Sequence, residues 1–199
     1  GAYTSTGVTA MHFAAEANAA GVIKALVAAG ADLDAKDSFS DRTPMMFASV
    51  RNATTALRTL VEFDADLSLA TAIKDYEEIE GEATEERARR TRVREAAKDP
   101  EPNEEDSEAE NQRSGRPSGG SGQSPPADPN APKILSSIEQ IGKQGGFTAL
   151  HYAAREGHIE ATRVLLEAGS DVNQVTAGDQ SSPLLVAVIN GNYDLARVL

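Results

Sequence analysis

Three histidines and thirty-one carboxylates are the side chains of this 199-residue sequence best suited to acid–base or metal chemistry. An imidazole titrates near neutral pH, so it can move a proton or hold a metal. His12 and His151 sit in matching surroundings, Thr9-Ala10-Met11-His12 and Thr148-Ala149-Leu150-His151, and His158 follows Gly157. None has a second ligand at zinc spacing. No cysteine is present, which removes disulfides, thiolate nucleophiles and cysteine-based metal sites. Asp32, Asp34, Asp66 and Asp171 stand in turn segments, where capping the backbone accounts for them without general acid–base work. Gly119-Gly120-Ser121-Gly122 lacks the strand, the helix and the lysine of a phosphate cradle, and reads as linker. The expectation is a chain that is not an enzyme, with no catalytic, cofactor-binding or metal-ligating residue.

The elements that carry these residues are short and repeated. In Gly146–Val175, Thr148 precedes an apolar run and reads as a helix N-cap. A first helix over about Ala149–Glu156 puts Leu150, Ala153 and Ala154 on one face. Gly157 can take positive φ and close it. A second helix from near Glu160 carries Ala161, Val164, Leu165 and Ala168 on one stripe, Gly169 closes it, and Asp171-Val172-Asn173 starts an extended turn. Helices this short are marginal alone, so each must bury its stripe on a neighbour.

The neighbours are copies. Thr9-Ala10-Met11-His12-Phe13-Ala14, Thr43-Pro44-Met45-Met46-Phe47-Ala48 and Ser182-Pro183-Leu184-Leu185-Val186-Ala187 repeat the opening, and Gly30-Ala31-Asp32-Leu33-Asp34 and Asp64-Ala65-Asp66-Leu67 repeat the close. Thr9 to Thr43 and Thr148 to Ser182 are both 34 residues. A T-P-L-H-x-A opening at a period near this length resembles the ankyrin repeat family over about two thirds of the chain. The resemblance implies an all-α (α-solenoid) fold of ankyrin-type helix–turn–helix repeats with β-hairpin loops, in four repeats with the last truncated. It also implies that His12, His151 and His158 are structural, bonding locally and tying neighbouring repeats. Asn18 and Asn52 replace the glycine that closes the first helix, Asp64 replaces the second glycine, and Asp41 and Gln180 replace the glycine before the cap. Asn keeps a left-handed backbone available, whereas the hairpins at Asp41 and Gln180 are expected to bend differently.

Repeats one and two occupy 1–71 and repeats three and four 146–199. Alanines at 14, 15, 25, 28 and 29 narrow the helices of repeat one, and Met45, Met46, Phe47, Leu57, Leu60 and Val61 make repeat two bulkier. Between them lies an insert, 72–145, largely without order. A charged helix is expected over about 72–98, opening on a stripe of Leu69, Ile73 and Tyr76 and held by Glu85–Arg89 and Glu86–Arg90 pairs. Its five arginines are interleaved with glutamates and read as a solvated face. Residues 99–133 hold seven of the nine prolines, an acidic run and no aromatic residue, the composition of disorder. Ile134, Leu135, Ile138 and Ile141 make a short amphipathic element over 134–142. Loop-closure entropy for so long an excursion costs only about 2 kcal/mol, so one continuous array is expected. The chain opens without Met and stops inside a helix, which suggests a fragment with further repeats.

The net charge of −12 argues against nucleic acid as a partner, and no apolar run is long enough to span a membrane. What remains is a protein–protein interaction scaffold, expected to be monomeric. By the family resemblance, its partner lies on the concave face of hairpin tips and first helices: Val8, Glu16, Ala17, Phe39, Ser40, Arg42, Val50, Arg51, Phe147, Arg155, Glu156, Ser181, Ile189 and Asn190. Phe39 stands out as an aromatic at a hairpin tip, either an anchor for a partner or folded over the next repeat. Arg42, Arg51 and Arg155 are expected to form a basic track for an acidic partner or for the chain's own Asp99–Glu110 run. Two other readings are a regulatory or targeting fragment of a longer enzyme or membrane protein, and a plain spacer. The family's common setting implies the cytoplasm; nothing in the residues places the chain.

Overall fold

The computed structural model describes residues 4–96 and 142–199. The helix–turn–helix unit occurs four times: Ala10–Glu16 with Ala20–Ala28, Pro44–Val50 with Thr54–Glu62, Ala149–Glu156 with Ile159–Glu167, and Pro183–Ile189 with Tyr193–Ala196. The first helix of each pair is called inner here and the second outer. Each inner helix starts behind an extended Thr9, Thr43, Thr148 or Ser182, and Pro44 and Pro183 take the first helical turn, where a missing N–H costs nothing.

Each inner helix packs on the inner helix of the next repeat, including Pro44–Val50 on Ala149–Glu156. Repeat three therefore stacks directly on repeat two. One core runs through the first three repeats, built on Met11, Ile23, Met45, Met46, Leu57, Leu60, Leu150 and Leu165, and a second small cluster joins Ala154 to Val186, Ala187 and Leu195. Ala14 and Ala15 are buried as expected, but Ala25, Ala28 and Ala29 face solvent; Ile23, Leu26 and Val27 make the contact face of that outer helix.

Left-handed residues close the inner helices: Asn18 (φ 56°), Asn52 (φ 52°) and Gly157 (φ 76°). The asparagines do more than tolerate that backbone. Asn18 Oδ1 accepts the Ala56 N–H at 2.8 Å and Asn52 Oδ1 accepts the Ala161 N–H at 3.2 Å, so each satisfies a free donor at the start of the next outer helix. Before the cap, Asp41 (φ 57°) and Gln180 (φ 52°) hold the left-handed conformation of Gly7 (φ 73°) and Gly146 (φ 77°). The hairpins thus bend alike, contrary to the sequence expectation, because hydrogen bonds on both sides of those residues fix the turn.

Those bonds repeat. The N–H of Asp37 donates to the Arg42 carbonyl at 3.0 Å, that of Thr71 to Phe147 at 3.0 Å, and that of Thr176 to Ser181 at 3.1 Å. Successive hairpins are also laced edge to edge: Ser38 N to Thr6 O, Ala72 N to Ser40 O, and Ala177 N to Gly145 O, at 2.9, 2.9 and 3.1 Å. In this register Thr71-Ala72-Ile73 and Gly145-Gly146-Phe147 are the two legs of one hairpin, and everything between them leaves from its tip. Lys74–Asp75 and Lys143–Gln144 prolong the legs as a two-stranded antiparallel ladder. The ladder holds residues 74 and 75 extended, so the charged helix opens at Tyr76 and runs to Ala96 rather than starting near 72. Leu69 and Ile73 consequently lie outside it. Along the helix Arg89 pairs with Glu86 instead of Glu85. The repeats and residues up to Glu77 form one compact unit, and the helix from Glu78 onward belongs to another. The disorder expected over 99–133, and the amphipathic element apart from Gly142, lie outside the described residues.

The hairpins approach so closely that two glycines are required. A Cβ on Gly178 would fall on the Lys143 carbonyl oxygen, and one on Gly145 on that of Ala72. Gly178→Ala is expected to destabilise the array by about 1–3 kcal/mol in urea unfolding. Gly21→Ala, in a helix with open space around it, is expected to be neutral or to stabilise by up to about 1 kcal/mol. Deleting residues 74–144 leaves a six-residue hairpin in the register of Asp37–Arg42. It should raise the array's stability by about 2 kcal/mol, measured by the same unfolding.

Candidate functional site

The histidines are brackets between repeats. His151 Nδ1 lies 2.8 Å from Thr148 Oγ1 and accepts the Thr148 N–H at 3.2 Å, while its Nε2–H donates to the Ser181 carbonyl at 3.1 Å. His12 repeats this with Thr9 (2.9 and 3.1 Å) and the Arg42 carbonyl (3.0 Å). His158 Nε2–H donates to the Val50 carbonyl at 3.0 Å, from repeat three back to repeat two. His12 and His151 are fully buried, and burial holds both imidazoles below their ordinary pKa despite the carbonyl bonds that favour the charged form. They are neutral and spent on structure. No cluster of potential metal ligands occurs among the described residues, and none of their helices is long and apolar enough to cross a membrane.

The residue after the histidine slot is aromatic in three repeats: Phe13, Phe47 and Tyr152. Phe13 is exposed and the other two half-buried, so they form a stripe along the inner face. Between Phe47 and Tyr152 the face opens into a hollow of about 250 Å³, lined also by Met46, Val50, Glu16, Arg42 and Arg51. A second of about 190 Å³ lies nearer the hairpins, with Ser40, Thr71, Phe147 and Tyr152 among its walls. The sequence reading counted Phe47 only among the residues that make repeat two bulkier and gave Tyr152 no role; the recurrence of an aromatic in one slot was the available signal.

The arginines expected as a basic track are each tied to a carboxylate. Arg42 grips the buried Asp37 through Nε and a terminal nitrogen, both at 2.8 Å, and lies over the Phe47 ring at 4.8 Å. Arg51 holds Glu16 at 2.8–2.9 Å across two repeats. Arg155 pairs with Glu156 at 3.0 Å and covers the Tyr152 ring at 4.8 Å. Burial pushes the Asp37 carboxyl up, but the Ser40 and Arg42 N–H groups and the Arg42 guanidinium outweigh it and hold it below the usual range. Burial also raises the Tyr152 phenol.

Of the remaining expected contacts, Phe39 is 69 % exposed, with the Lys74 ammonium 5.0 Å from its ring centre. It is therefore presented at the tip, not folded into a core. Ser40 spends its N–H on Asp37, and Val8 its carbonyl on Thr4. Phe147 is half-buried against His151 and Tyr152. Ala17, Ile189 and Asn190 are exposed but line neither hollow. Ser181 is buried at 2 %: its hydroxyl donates to Asp179 and its carbonyl takes His151, so it closes a turn and presents nothing to a partner.

Paired short helices closed by left-handed residues, with hairpins laced edge to edge, define a helical-repeat array. A family model for ankyrin repeats, in three copies, matches residues 1–71 and 128–199, and the chain belongs to that family. Similar curated proteins include an E3 ubiquitin-protein ligase, XBAT32, of Arabidopsis thaliana. It is 44 % identical over 46 residues, which is 23 % of this chain and 9 % of that protein. A B-cell lymphoma 3 protein homolog of Mus musculus is 41 % identical over 54 residues, 27 % of this chain and 12 % of that protein. The chain spans about a tenth of the length of these relatives.

Because the folded imidazoles of His12 and His151 lie below 6.5 while unfolded ones return to it, the unfolded chain binds more protons. Their contribution is complete above pH 6.5 and drains as pH falls below it. The urea midpoint is expected to drop between about pH 7 and about pH 5. His12→Asn with His151→Asn should lower stability at pH 7 and flatten that slope.

Proposed function

We propose that this array is a non-catalytic interaction scaffold that holds a partner protein across its hairpin tips and inner helices. The supporting observation is the open, aromatic-walled hollow between Phe47 and Tyr152, together with the exposed Phe39, whose ring centre lies 6.0 Å from the guanidinium of Arg42, a lining residue of the hollow. A hollow of this size accepts one bulky apolar side chain, the kind of anchor that carries most of the binding energy at an interface. Arg42 and Arg51 line it and Arg155 covers the Tyr152 ring, all three with their charges already balanced. They offer N–H groups to a partner's carbonyls without a free cationic track, so shape and hydrogen bonding set selectivity here more than net charge does. Glu16 and Val50 line the hollow itself, Ser40 and Phe147 wall the second one, and Val8, Ala17, Glu156, Ile189 and Asn190 complete the proposed face. The likeness to a ubiquitin ligase stays within 46 residues, which supports a shared binding module rather than ligase chemistry.

Peptides selected against the whole chain from a random display library give the test. Those that bind should carry a bulky apolar residue and lose about tenfold or more in affinity on Tyr152→Ala or Phe39→Ala. Exposed controls such as Lys24→Ala should leave affinity unchanged. Selected peptides indifferent to both aromatic substitutions would overturn the reading.

A further inference from the structure

The charges of the helix Tyr76–Ala96, expected from the sequence to be interleaved, in fact fall in two blocks, because all but one of its glutamates precede all of its arginines. Glu77, Glu78, Glu80, Glu82, Glu85 and Glu86 come first with no cation among them; Arg87, Arg89, Arg90, Arg92 and Arg94 follow with no anion among them. Charges that serve a lone helix alternate at four-residue spacing, glutamate before arginine. The helix dipole accounts only for the first and last turns. Block order brings ion pairs to the junction: Glu86 with Arg89 at 3.9 Å and Arg90 at 2.9 Å, and Glu80 with Arg87 at 3.7 Å. Glu82, Glu85, Arg92 and Arg94 make no ion pair among the described residues. The same helix shows one stripe at alternating spacings of four and three, namely Ile79, Ala83, Glu86, Arg90 and Val93. That is the seam spacing of paired helices. Its two large apolar members are uncovered, Ile79 by 48 % and Val93 by 63 %.

We propose that this helix pairs antiparallel with the same helix of a second copy of the chain. Reversed on itself, the sequence is its own electrostatic complement. With Ala83 set opposite Glu86 of the second copy and Ile79 opposite its Arg90, Glu80 comes beside Arg87 and Glu82 beside Arg89 of that copy. The arginine stems then cover the aliphatic surface of Ile79. A parallel pair would stack Glu86 on Glu86 and Arg90 on Arg90, and like charges at facing positions repel. A seam with two charged members and few apolar ones binds weakly and through charge, so pairing is set by salt and local concentration. The monomer expected from the repeats is the high-salt state.

Sedimentation equilibrium of the full chain tests this. A dimer is expected at low salt, with its dissociation constant raised at least about tenfold near 0.5 M salt, where screening is severe. Glu80→Arg with Glu82→Arg, and separately Arg87→Glu with Arg89→Glu, should each give a monomer. Mixing the two variants should restore a dimer, because every flanking contact is again between opposite charges. The chain has no cysteine, so Ile79→Cys mixed with Arg90→Cys should form the mixed disulfide in preference to a symmetric link between two copies of the Ile79→Cys variant. A chain monomeric at every salt concentration, a dimer untouched by both charge reversals, or dominance of that symmetric link would each overturn the proposal.

Discussion

Helices of four to nine residues cannot hold themselves, and the bonds that fix this array are the ones that leave one repeat for another. The imidazole is the plainest case. His151 takes the capping Thr148 on one nitrogen and the carbonyl before the next cap on the other, so one neutral side chain orients its own helix and sets the distance to its neighbour. Asn18 and Asn52 do the same at the outer side, turning a residue chosen for a left-handed backbone into a cap for the following helix. Buried apolar contact supplies the driving force, but these directional bonds make it act in one register.

The architecture was legible because it is written in local chemistry repeated at fixed spacing. Thr148, Gly157 and the 150/153/154 stripe predicted the helix Ala149–Glu156 to the residue. The hairpins at Asp41 and Gln180 were misjudged because the sequence shows only a residue that dislikes positive φ, while the cost is offset by bonds to residues before and after it. The start of the charged helix was missed for a related reason: the strand pairing that holds Lys74–Asp75 comes from residues nearly seventy positions away. At the candidate site, exposure and position were readable for Phe39 and the arginines. The pairing of each arginine, the burial of Ser181 and the hollow beside Tyr152 are products of stacking, and no single repeat contains them.

The inner face gains definition from that stacking too. Arg42 and Arg155 lie flat on aromatic rings while their forks are taken by Asp37 and Glu156. Side chains held from two directions keep little rotamer freedom, so less is lost when a partner arrives. An acidic molecule thereby carries a face whose local charge is near balance, separate from the net charge of the chain.

The two stems of the insert leave the array side by side as antiparallel strands, which has a mechanical consequence. Tension pulling the stems apart does not reach the helices as shear. It arrives at the Lys74–Asp75 and Lys143–Gln144 ladder and opens it like a zipper, one pair at a time, down to the Thr71–Phe147 bonds. Whatever is tethered through the insert can therefore tug on the array without disturbing its core until that short zipper is spent, so the ladder acts as a fuse between tether and scaffold.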